Sequence, residues 1–129
     1  QGASIVAFDN GESEWSSKFF DVKKGGPEVL RSIPEDHTLL LIWPPDASDM
    51  AFSALKAFRG NRVVYIGERR GGRMANDKFF QALETEFSCE WRMNMYPRWP
   101  GWQDEVHILH RGGTCSFSPR IDDFEVDEL

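Results

Sequence analysis

The sequence predicts an α/β domain: a mainly parallel sheet flanked by helices and ending in an antiparallel hairpin. Three observations lead there. The run Leu39-Leu40-Leu41-Ile42-Trp43 is unbroken apolar sequence, the pattern of a strand buried on both faces, and Pro44-Pro45 end it. A second such run, Arg62 to Ile66, follows a stretch with helical spacing, as a parallel pair joined by a crossover helix requires. Finally, Cys89, Trp91, Met93 and Met95 alternate with Glu90, Arg92 and Asn94, the period-2 signature of a strand with one wet face.

The elements follow in order. Ser4 to Phe8 is a short apolar strand closed by Asp9-Asn10-Gly11, a turn signature. Residues 12–26 are irregular, with Trp15, Phe19 and Phe20 as anchors. Pro27 suits the first position of a short helix to Ile33. The central strand, Thr38 to Trp43, comes next. Ser48 caps a helix from Asp49 to Phe58, whose Ala51, Ala54, Leu55 and Phe58 share one face, and Gly60 supplies a left-handed end. After the strand Arg62 to Ile66, Asn76 caps a helix to about Glu86, with Phe80, Leu83 and Phe87 on its apolar stripe. Cys89 to Met95 and Asp104 to Arg111 then form the hairpin, separated by a loop rich in Pro and Trp. Residues 1–118 form the domain, and 119–129 are an acidic tail expected to be loosely docked.

Composition narrows the function. The 129 residues suit one domain, and 17 aromatic residues place it far from disorder. A net charge of −6 disfavours general binding to a phosphate backbone. No apolar run is long enough to span a membrane, and no secretory signal is seen, so an intracellular, cytoplasmic setting is expected. Cys89 and Cys115 lack paired metal-ligand spacing. They read as free thiols, with a disulfide as the alternative. His37, His107 and His110 show no metal spacing either, so no metal site is expected.

Three strands end in unusual residues: Asp9, then Trp43-Pro44-Pro45-Asp46, then Glu68-Arg69-Arg70-Gly71-Gly72. If the strands are parallel neighbours, these clusters share the carboxyl rim where open α/β sheets bind ligands. An acid at the end of an early strand can hold ribose hydroxyls; Asp9 equally suits an Asx turn. Arg69 and Arg70 could grip an anion or pair within the chain. Trp99 and Trp102, in a Trp-Pro-Gly-Trp loop, could wall a flat ligand or lid the core.

The order of acidic strand end, strand–aromatic–Pro-Pro–acid, helix, strand–Gly-Glu, helix and hairpin resembles the later two-thirds of an S-adenosylmethionine-dependent methyltransferase domain. The Trp-Pro-Pro, Tyr-Ile-Gly-Glu, Gly-Gly and Trp-Pro-Gly elements look like an uncharacterised eukaryotic group within that superfamily. The resemblance implies a Rossmann-like sheet with S-adenosylmethionine as cofactor. It implies Asp9 as the ribose acid and Trp43, Pro44, Pro45 and Asp46 as the donor-side loop. The family's first strand and glycine-rich turn are not found ahead of Asp9. Members that methylate amines place Asn or Asp before Pro-Pro as a hydrogen-bond acceptor, whereas the Trp43 indole only donates.

The expected function is therefore methyl transfer to an unknown acceptor, small molecule or protein. Glu68 is the one candidate base, and Trp99, Trp102, Arg69 and Arg70 are candidate acceptor contacts. The alternative is a non-catalytic interaction domain of the same fold that has lost its cofactor. A missing first strand would leave an exposed edge for self-association or partner pairing.

Overall fold

The computed structural model describes residues 4–11, 21–95, 97 and 99–119. The anchors placed at Trp15, Phe19 and Phe20 and nearly all of the acidic tail lie outside the described residues. In chain order the elements are β1 (Ala7–Asp9), β2 (Val22–Lys24), a 3₁₀ helix (Pro27–Ser32), β3 (Thr38–Ile42), α1 (Met50–Ala57), β4 (Arg62–Gly67), α2 (Asp77–Glu86), β5 (Phe87–Asn94) and β6 (Glu105–Arg111).

The α/β class and the closing hairpin match the sequence reading, but the sheet is mixed instead of mainly parallel. Its order is β3-β4-β6-β5, with one parallel pairing (β3–β4) and two antiparallel ones. Because β6 opposes both neighbours, β3, β4 and β5 run in one direction with β6 reversed between the last two. The first strand does not join them. β1 pairs in parallel with β2 in a separate two-stranded sheet, and β2 lies where the sequence suggested only irregular chain. Three residues carry too little apolar surface to have shown as a strand.

One face of the main sheet holds the core. Leu39, Leu41, Val63, Tyr65, Leu109 and Phe87 point inward against Ala51, Ala54 and Leu55 of α1, Phe79, Phe80 and Leu83 of α2, and Phe117 of the closing segment. The α1 end differs from expectation. Ser48 does accept from Met50 N–H at 3.1 Å, but Gly60 is not left-handed. A Cβ there would lie 2.4 Å from the Phe58 ring and 2.7 Å from the His37 carbonyl, so Gly60 is required by close packing. At α2 the Asn76 side chain accepts from Phe79 N–H at 3.1 Å, as its cap role demands.

The other face is open and apolar, so β3, whose unbroken apolar run suggested burial on both faces, is buried on one only. Register aligns two cross-strand rows there: Leu40, Val64, Ile108 and Trp91, then Ile42, Ile66, Val106 and Met93. Leu40, Ile42, Trp91 and Met93 are 46–55% exposed, and the four central residues are half-buried. The predicted alternation in β5 is broken by a bulge between Cys89 and Trp91. The extra residue, Glu90, sends Cys89 to the core face and Trp91 and Met93 to the open one, and brings Arg92 inward. Among the described residues no helix is long and apolar enough to cross a membrane.

Candidate functional site

The carboxyl ends of β3 and β4 meet, as parallel neighbours must. Trp43 N–H still donates to the Ile66 carbonyl at 3.0 Å, and then the chain turns through a left-handed Trp43 (φ +48). Pro44 and Pro45 cannot extend the ladder, so the loop turns to its neighbour for partners. Ala75 N–H reaches the Pro45 carbonyl at 3.0 Å, and Ala47 N–H reaches the Ala75 carbonyl at 2.8 Å. Ala47 (φ +55) and Ala75 (φ +53) are also left-handed. The three non-glycine residues with positive φ among those described therefore all sit on these two loops. Each such conformation costs on the order of 1–2 kcal/mol, a strain that gathers at functional edges.

Glu68 ties this rim together. Its carboxylate accepts from Arg73 N–H at 3.0 Å and from Gln103 N–H at 3.1 Å, with the Arg73 guanidinium 3.5 Å away. At 6% exposure and with these partners it joins the β4–α2 loop to the β5–β6 loop, and it is not poised as the free base the sequence suggested. The β5–β6 loop turns tightly: Trp102 N–H bonds the Trp99 carbonyl at 3.1 Å, with Gly101 at φ +83 after Pro100. That turn sets Trp102 against Trp43 as a stacked pair, 5.9 Å between centroids at 14°. Arg73 lies 3.5 Å over the Trp102 ring and donates to the Gly101 carbonyl at 2.6 Å.

The remaining predicted residues divide. Asp46 lines a cleft of about 240 Å³ with Ala47, Gly71, Gly72, Asn76 and Asp77. Trp99 is 66% exposed beside the packed Trp102, so one indole of the loop folds in and the other faces solvent. Arg69 is committed to the buried Glu105 at 2.6 Å, and Arg70 to Glu84 and Asp77, so neither guanidinium is a ready anion site. Burial opposes the Glu84 charge, yet the Phe117 N–H and Arg70 outweigh it and hold that carboxyl below its usual range. Asp9 is not brought to the rim by strand pairing. Its carboxylate accepts from Gly11 N–H at 2.9 Å, an Asx turn at the end of the separate sheet.

Beneath the rim lies a buried polar row that sequence reasoning missed. His107, fully buried, stacks on Tyr65 with 5.3 Å between centroids and accepts from Arg92 Nε at 2.9 Å. Burial, reinforced by Arg92, lowers the His107 pKa to about 4. The Tyr65 hydroxyl donates to the Glu68 carbonyl at 2.5 Å, and burial raises its pKa so that it stays neutral. The bulge that turns Arg92 inward leaves no mark on composition or periodicity, so no sequence signal pointed here. Cys89 and Cys115 are free, and burial pushes the Cys115 thiol up to about 11, consistent with the free-thiol reading. No group of residues able to hold a metal is present among the described residues.

For S-adenosylmethionine these residues make one wall, not a pocket. The 240 Å³ cleft falls below the roughly 300–1,000 Å³ typical of small-molecule sites, and the expected ribose acid is engaged elsewhere. No family model matches the chain, and searches of curated proteins and of solved structures return no match.

Proposed function

We propose that the chain is a methyltransferase-like domain with a Rossmann-like sheet, acting at the carboxyl edge of β3 and β4. The observation that supports this reading is the meeting there of the Trp43-Pro44-Pro45-Asp46 and Glu68-to-Gly72 loops. In open α/β sheets that edge is the ligand side, and the reversed β6 gives the closing hairpin the resemblance implies. S-adenosylmethionine would supply the methyl group. The chain's own residues would supply the aromatic wall of Trp43 and Trp102 and the Glu68 tie that fixes it. Calorimetry of the full-length protein as its gene encodes it, titrated with S-adenosylmethionine, tests the reading. Micromolar binding that Trp43→Ala weakens at least tenfold supports it, and no binding overturns it.

A second reading, a non-catalytic interaction domain, is favoured by a different observation. Glu68 is fully engaged at the rim, while an apolar face lies open on the far side of the sheet. Under this reading, replacing the exposed Trp91 and Met93 of that face by Ala weakens partner binding, and the protein binds no S-adenosylmethionine.

A further inference from the structure

After β6 the chain continues along α2 and β5. Gly112 N–H donates to the Glu86 carbonyl at 2.7 Å and Cys115 N–H to the Glu84 carbonyl at 3.1 Å, near the C-terminal end of α2. On its other side the segment touches β5. A Cβ on Gly113 would stand 3.3 Å from that of Ser88, and the Ser116 carbonyl accepts from the Arg92 guanidinium. Residues 112–119 are thus a strap between α2 and β5, with the fully buried Phe117 as its plug.

The far end of the strap reaches the rim. The Phe117 carbonyl accepts from Arg70 N–H at 2.9 Å, while Phe117 N–H donates to the Glu84 carboxylate at 2.8 Å. One residue on, the Ser118 carbonyl accepts from the Arg69 guanidinium at 3.3 Å. The loop from Glu68 to Gly72 therefore rests on a segment with no regular secondary structure of its own. How firmly the loop is held depends on how firmly the strap is held.

The strap carries Cys115, and the strand beside it carries Cys89. The Gly113–Ser88 and Ser116–Arg92 contacts bracket the two cysteines, and the bulge at Glu90 turns Cys89 toward the core. Both pack against the same apolar cluster, and both are free and partly exposed. Burial raises the Cys115 pKa, Arg92 opposes the rise, and Cys89 lies near enough to add to it. Neighbouring extended segments run about 5 Å apart, within the roughly 4.4–6.8 Å between Cα atoms that a disulfide bridges.

We propose that Cys89 and Cys115 are an oxidisable pair, closed to a disulfide by a small-molecule disulfide, and that closure fastens the strap and the rim loop resting on it. Cys89 gives up its proton, and its sulfur attacks one sulfur of the small disulfide. One thiolate leaves and takes a proton. Cys115 then gives up its proton and attacks the Cys89 sulfur of the mixed disulfide, so the protein S–S bond forms as the second small thiol leaves. Two protein thiols are oxidised, and one small disulfide is reduced to two thiols. A thiol raised by burial is a poor first nucleophile, which gives Cys115 the second role. The inference does not depend on cofactor binding.

The test treats the protein, as its gene encodes it, with oxidised glutathione and maps its peptides without reduction. The expected product is a cross-linked peptide pair that joins Cys89 to Cys115 within one chain. The thermal midpoint rises by about 5 °C or more, because the bond restricts the unfolded chain. The Arg70 amide exchanges at least tenfold more slowly in the oxidised protein than in the reduced one. Dithiothreitol reverses both changes, and Cys89→Ser prevents them. Absence of the cross-link, whether the thiols stay intact or each carries glutathione, would overturn the proposal. A bond between two chains would overturn it too, as would an intrachain bond that leaves Arg70 exchange unaltered.

Discussion

Arg92 donates from Nε to Nδ1 of His107 at 2.9 Å across the β5–β6 pair, placing a guanidinium against a fully buried imidazole. The accepting Nδ1 assigns the ring proton to Nε2. A charged histidine there would be desolvated and would face Arg92, so the ring is held neutral.

Stability should therefore fall in mild acid. His107 titrates near 4 in the folded chain and near 6.5 when unfolded, so between those values the unfolded chain binds the extra proton. The contribution is complete above pH 6.5 and is lost as pH falls toward 4, by on the order of 3 kcal/mol. Glu84 works in the same direction at lower pH, because its depressed pKa stabilises the folded state only above the ordinary carboxylate range. Urea midpoints from pH 7.5 to 4.5 check this, together with the His107 imidazole signals in NMR. An imidazole that becomes charged near pH 6.5 in the folded chain would refute it.

Adjacent leucines of β3 should respond oppositely to truncation. Leu41 lies in the core at 8% exposure, so Leu41→Ala should cost about 2–5 kcal/mol. Leu40 is 52% exposed on the open face, so Leu40→Ala should cost under about 1 kcal/mol. Urea denaturation of both variants decides it. Equal losses would show that the open face is covered in solution.

Glu68 should matter for stability and for the indole pair together. Glu68→Ala leaves the Arg73 and Gln103 N–H groups without their acceptor and should cost on the order of 1–3 kcal/mol. It also frees the loop that holds Trp102 on Trp43, so the near-ultraviolet dichroism of the stacked indoles should weaken. A variant with unchanged stability and an unchanged aromatic signal would remove the tie from this account.

The amino-acid order is enough to place the segments whose physics is local. The apolar runs of β3 and β4, the stripe and cap of α2, and the proline exit at Pro44-Pro45 appear where spacing and backbone chemistry put them. It also brought Trp43 to Asp46 and Glu68 to one rim, because a parallel pair shares its carboxyl end. Tertiary structure alone decided that β6 lies between β4 and β5 and that β1 pairs outside the main sheet, since such pairing joins residues far apart and leaves no periodic trace. That is why Asp9 sits in its own small sheet, and why one bulge at Glu90 turned Arg92 inward and Trp91 out. It likewise fixed the state of the charges: Glu68, Arg69 and Arg70 look available in the chain, and only their folded partners show them engaged.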